Sequence, residues 1–172
     1  MSSKYKSYSA TELEEHFSNY LIDSWSYSKV SSFARNEKEF EKSEIYREKS
    51  PRTAASIAGN AYHTALQYFF EELKADGSLM ELPEMERAAF NYLDGVPANS
   101  WKVQKTTPTV EECIQKASQS AVRLIRNFYQ EKDVYLNDIE KIIGVEFRCE
   151  EWLQINGVDI PLPCHAVVDL LV

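Results

Sequence analysis

Apolar residues recur at helical spacing along most of this chain and at alternating spacing near its end. Thr11-Glu12-Leu13-Glu14 has the form of a capping box, a hydroxyl and a carboxylate that satisfy each other's backbone N–H groups. Phe17, Tyr20, Leu21 and Trp25 follow, and together they predict a helix over about 11–23. Ser26 can cap a second helix on which Tyr27, Val30, Phe33 and Ala34 repeat, continuing through a charged stretch anchored by Phe40, Ile45 and Tyr46 to about 47. Pro51 breaks the chain. Arg52 to Ala75 then reads as a long Ala-rich helix carrying Ile57, Leu66, Phe69, Phe70 and Leu73, with Gly77 as the residue just past its end. Pro83 opens a short helix over 83–93 that Gly95 ends, and 95–107 is a loop carrying Trp101. Thr109 and Glu112 form another capping box. Val110, Cys113, Ile114, Ala117, Ala121, Leu124, Ile125 and Phe128 keep the helical period to about 131, and a polar connection over 131–137 leads on.

The period then changes. Ile142 to Val172 reads as two strands around Ile155-Asn156-Gly157-Val158. Asn-Gly suits a type I′ turn because both central residues need positive φ. On the first arm Val145, Phe147 and Cys149 would share one face, and Glu146, Arg148 and Glu150 the other. The second arm, Ala166 to Val172, is apolar except for Asp169. Helices followed by a hairpin predict an α+β fold, one domain over 1–172. Within it 1–9 is polar and loose, 10–132 mainly helical and 139–172 the hairpin. A central strand placed last implies the front part of something longer.

With 172 residues, 44% hydrophobic and 27% charged, the chain has the length and composition of a globular domain with a real core. No apolar run approaches a membrane span of about 18 residues, and no apolar segment follows Lys4 and Lys6 as a secretory signal would require. Three cysteines without a CxxC spacing read as reduced thiols in a cytoplasmic protein, not as a zinc or iron–sulfur framework. A formal charge of -8 argues against a non-specific polyanion binder but leaves room for a local basic strip.

Three features can carry chemistry. Asp169 sits in a Val/Leu run, where a buried carboxylate needs a cation or donors. Gly59 and His63 lie four residues apart and so on one face of the long helix. A glycine there costs about 1 kcal/mol against alanine, so it would let another element approach the backbone beside the imidazole. Glu146 stands on the first strand. Each has a plainer reading: a lone helical histidine is commonly just hydrogen-bonded, a strand glutamate solvated, and an aromatic stripe core. His16 and His165 have no comparable context.

Ser26-Tyr27-Ser28 running to Phe33, then Gly59-Asn60-Ala61-Tyr62-His63 with Leu66, then Glu146, then Ala166-Val167-Val168-Asp169, resemble in order and spacing the PD-(D/E)XK nuclease superfamily. The nearest branch is the RecB-type one, which includes CRISPR-associated exonucleases. The resemblance covers about 26–172 and implies an α/β, restriction-endonuclease-like domain with the hairpin at the start of a mixed central sheet. It implies His63 and Asp169 as ligands of Mg²⁺ or Mn²⁺, and Glu146 more loosely as a catalytic residue. It also implies DNA, single-stranded included, as the substrate in recombination, repair or phage and CRISPR defence. The family's Glu-x-Lys strand does not occur after Asp169, Ala166 replaces the usual glycine before the aspartate, and nothing at Asn36 supplies an iron–sulfur cysteine. The resemblance therefore implies an incomplete nuclease module, inactive by itself, with a larger polypeptide or partner supplying the rest. Lys29, Arg35 and Arg52 are the candidates for a nucleic-acid strip, each with the plain reading of solvated charge. The competing readings are an inactive nuclease fold serving as a scaffold or protein-interaction domain, and an unrelated helical protein ending in a hairpin.

Overall fold

A computed structural model describes residues 15, 22, 24–152, 154, 155, 157–159 and 162–172. The fold mixes helix and strand, in the order α1 (Tyr27–Arg35), α2 (Glu37–Phe40), a π turn (Glu41–Ile45), α3 (Ala54–Asp76), α4 (Leu82–Asp94), α5 (Val110–Leu136), β1 (Gly144–Glu151), β2 (Gln154–Ile155), β3 (Val158–Asp159) and β4 (Cys164–Leu171). A 3₁₀ turn, Ala98–Ser100, sits between α4 and α5. Packing divides the chain into two units, 1–49 with 148–167, and 50–147 with 168–172.

The larger unit is built on three helices, each packed on the other two. On α3 the residues Ala54, Ala58, Ala61 and Ala65 form a small-residue seam, flanked by Ile57, Phe69 and Phe70. Small side chains let the neighbouring helices approach closely, and Phe69 fills the space beyond them in edge contact with Phe128 (5.3 Å between ring centres). Met85, Ala89 and Leu93 face the seam from α4, and Cys113, Ala117, Ala121 and Ile125 from α5. These sets recur every four residues, the spacing of one helix face. Val145 and Leu170 pack against the same core from β1 and β4.

Helix ends follow local chemistry. The hydroxyls of Thr53 and Thr109 accept from the N–H groups of Ser56 and Glu112, both at 3.2 Å. Gly77, at φ 79°, closes α3 with its N–H on Leu73 O. The last helix extends to Leu136, past the expected end near 131, because Tyr135 continues the apolar face and stacks on Phe128.

In the smaller unit the expected single helix from 26 to 47 is broken. Asn36 is extended (φ -159°, ψ 95°), its N–H closes α1 on Ser32 O, and its side chain caps α2 through Glu39 N–H. Asn competes for backbone donors in this way, which ends one helix and starts another. Phe40 is buried, in edge contact with Phe33 and stacked on Trp25. Tyr27, Val30 and Phe33 are exposed, so this aromatic stripe is not the core the spacing implied. The expected helix over 11–23 and the loose 1–9 segment fall, except for Glu15 and Ile22, outside the described residues.

Near the chain's end β2 and β3 pair antiparallel through Ile155↔Val158, with Gly157 at φ 78° in the left-handed region a tight turn demands. Asn156 lies outside the described residues. β1 pairs with β4, and Ile143 N–H donates to Leu171 O (2.7 Å), which sets the start of β1 beside the end of β4. Trp25 bridges to Cys164 through Trp25 N–H on Pro163 O and His165 N–H on Trp25 O. Among the described residues no helix is long and apolar enough to cross a membrane.

Phe69→Ala leaves a cavity where α3 meets α5, and it is expected to cost about 3–5 kcal/mol of unfolding free energy in urea denaturation. A loss under about 1 kcal/mol would show that the three helices do not share this core.

Candidate metal centre

α3 presents His63 one position past the core residue Tyr62 and two past the buried Ala61. Its seam is anchored in the core, so the imidazole stands on a rigid support. Its Nε2 lies 3.2 Å from Glu146 Oε1 on β1 and 3.3 Å from Asp169 Oδ1 on β4. The three donor atoms all lie within 4.8 Å of one another. His63, Glu146 and Asp169 belong to the same unit, so the second half of the fold returns two carboxylates to one nitrogen of the first.

Two carboxylates this close repel each other. At 4.8 Å the repulsion is about 1 kcal/mol in bulk water and about 3 kcal/mol at an effective dielectric constant of 20. A proton on His63 or a cation among the three donors relieves it. An octahedral ion with bonds of about 2.1 Å holds neighbouring oxygen donors roughly 3 Å apart. The 3.2 and 3.3 Å separations are close to that edge, but a separation as wide as 4.8 Å exceeds the roughly 4.2 Å between opposite donors of such an ion, so the two carboxylates would have to draw inward for all three to hold it. Oxygen donors favour Mg²⁺ or Mn²⁺, and the imidazole makes Mn²⁺ the more acceptable. Among the described residues no lysine or arginine pairs with either carboxylate.

The side chains are 46%, 31% and 75% exposed for His63, Glu146 and Asp169. Asp169 therefore does not carry the desolvation cost that its apolar neighbours implied. β4 turns alternate residues to either side, and Leu170 takes the core side while Asp169 faces out. The close approach expected at Gly59 is absent too: Gly59 is exposed, and a Cβ there would meet nothing within 4 Å. The even alternation expected along β1 also fails. Val145 packs on the core, but Phe147 and Cys149 are exposed. The interruption is at Glu146, whose φ of 50° is left-handed. A side chain with a Cβ held there costs about 1–3 kcal/mol, and such residues concentrate where geometry serves a site.

Arg52 shares a unit with the centre, and Lys29 and Arg35 belong to the other. Arg52 is held by its backbone, N–H on Ser100 O and O on Lys102 N–H, both 2.8 Å, with its residue exposed. Lys29 Nζ donates to Ser24 O (3.0 Å), and Arg35 is exposed in the last turn of α1. Beside His63 in sequence, Tyr62 lines a cavity of about 470 Å³ with Phe70, Phe128, Tyr135 and Leu170. Burial, and then Tyr135, push the Tyr62 phenol above its ordinary value, so it is a neutral donor near pH 7 and no base. Glycine in a strand signals a bend; Gly144 was the available sign that β1 would not alternate evenly. Comparison with protein-family models, curated proteins and solved structures found no match.

Gly59→Ala is expected to raise stability by about 0.5–1 kcal/mol, since the methyl meets open space in mid-helix; a loss of stability by thermal denaturation would show an unseen contact there. Glu146→Gly, measured in cation-free buffer, is expected to hold or raise stability by up to about 1 kcal/mol, because the left-handed penalty is relieved. A loss beyond about 1 kcal/mol would mean that Glu146 is kept for the fold.

Proposed function

We propose that this chain is a module of a divalent-metal-dependent nuclease, hydrolysing phosphodiester bonds of DNA on a PD-(D/E)XK-type fold of the RecB branch. The observation that carries the reading is the convergence of His63, Glu146 and Asp169, from one helix and two strands, to within 4.8 Å of one another. Their order along the chain, histidine on a helix and then acids on a strand pair, is the order of the motifs the sequence resembles. A bound Mg²⁺ or Mn²⁺ would supply a more acidic water and neutralise charge developing on the phosphate. Within the chain, His63 and Asp169 would hold the ion, Glu146 would add a further oxygen donor, and α3 fixes the direction of the imidazole.

A group that orients the attacking water is the remaining requirement. No lysine or arginine pairs with the centre's carboxylates among the described residues, which is the observation that favours the second reading, a nuclease fold retained as a scaffold. Under the first reading the Glu-x-Lys strand has to come from outside these 172 residues.

The experiment is digestion of plasmid and single-stranded DNA with Mn²⁺, by this chain and by a form extended with a Glu-x-Lys strand. The extended form is expected to cleave, and His63→Ala or Asp169→Asn to lower its rate at least 100-fold, about 3 kcal/mol of barrier. The 172-residue chain is expected to cleave little. An extended form that binds Mn²⁺ without cleaving supports the scaffold. Cleavage that survives His63→Ala overturns the proposed centre.

A further inference from the structure

β1 bends where a strand would run straight. Residues three apart in an extended strand are separated by roughly 10 Å and point to opposite faces. A Cβ on Gly144 would stand 2.9 Å from Phe147 Cβ and 2.9 Å from Phe147 Cδ2. The chain has therefore turned back on itself within three residues, and Glu146 occupies the turn at φ 50°. Such a conformation persists only where its surroundings over-determine it. Two contacts do so. On one side the Phe147 side chain lies against the bare Cα of Gly144; on the other the Glu146 carboxylate meets His63 at 3.2 Å.

The collision a side chain at 144 would make is with the root of Phe147, not with the tip of its ring. A root cannot swing away by changing rotamer, so the backbone itself must shift. Phe147 is 42% exposed, so burial in the core does not account for its folding over Gly144. Gly144 is buried and has no other heavy atom among the three nearest to a Cβ built on it.

We infer that Gly144 and Phe147 are positioning residues: their contact holds the bend that delivers Glu146 to the His63–Asp169 pair, and so sets the centre's affinity for a divalent cation. The inference rests on the cation-binding reading of that centre. Neither residue supplies one of the three donors. Opening the bend leaves one imidazole and one carboxylate where three donors stood.

The test is Mn²⁺ binding to the full chain, followed by the electron paramagnetic resonance of the free ion, with backbone chemical shifts of Glu146 recorded in the absence of metal. Wild type is expected to bind one ion. G144A and F147A are each expected to weaken binding about 10–100-fold, the usual effect of removing a group that orients a ligand. They are also expected to move the Glu146 shifts from left-handed to extended values, with the helical circular dichroism unchanged. Adding E146Q to either variant is expected to weaken binding no further. G144A/F147G, which removes the colliding root and the holding contact together, is expected to bind no better than F147A. Should G144A not fold, F147A carries the test alone, since its side chain is substantially exposed. Wild-type affinity in F147A with unmoved Glu146 shifts overturns the positioning role and leaves the centre standing. A wild type that binds no Mn²⁺, while the Glu146 shifts still respond to F147A, overturns the cation reading and leaves only the bend.

Discussion

Two carboxylates held within 4.8 Å of each other and of one imidazole nitrogen are the constraint around which the larger unit is arranged. Glu146 and Asp169 are both at least partly exposed, so each acid has open solvent on one side to turn into. Elements distant in sequence instead converge there. α3 supplies the fixed point, because its alanine seam is packed among α4 and α5 and its direction cannot vary. β1 and β4 supply the acids, and their own anchors in the core, Val145 and Leu170, are the immediate chain neighbours of Glu146 and Asp169. Core packing is thereby converted into the position of a carboxylate one residue away.

The division between core and site also shows in where strain is tolerated. The helices are capped by ordinary means, a threonine hydroxyl at the start of α3 and of α5 and a left-handed glycine at the end of α3. Among the described residues the left-handed non-glycine ones are Arg47 and Glu146, and only Glu146 stands at the centre. A fold selected for stability alone would place glycine at such a position, as it does at Gly77 and Gly157. Glutamate there carries that backbone cost with its carboxylate 3.2 Å from His63.

Helical periodicity made α3, α4 and α5 legible almost to their ends, because alanine seams and capping hydroxyls are local signals. The turn at Gly157 was legible for the same reason. His63 and Asp169 were legible as candidates through the order of motifs, although Asp169 does not carry the burial cost argued for it: its neighbours Val168 and Leu170 are half-buried, and the carboxylate lies on the open side. The break at Asn36 was hidden because its charged surroundings suit a solvated helix equally well. The bend at Glu146 was signalled only by Gly144, because nothing else local forbids Val145, Phe147 and Cys149 from sharing a face. Only the contact of Phe147 with Gly144 and the pairing with His63, both properties of the folded chain, decide against it.

Grip on one divalent ion by these three side chains is the claim on which the nuclease reading stands. Its most direct measurement is nitrogen-15 magnetic resonance of the histidine side chains while Mn²⁺ is added. The sequence holds three histidines, His16, His63 and His165, so two serve as internal references. Paramagnetic broadening that reaches the His63 imidazole first, and is lost in Asp169→Asn, is the expected result. Broadening that spares His63, or that falls equally on all three rings, would contradict it.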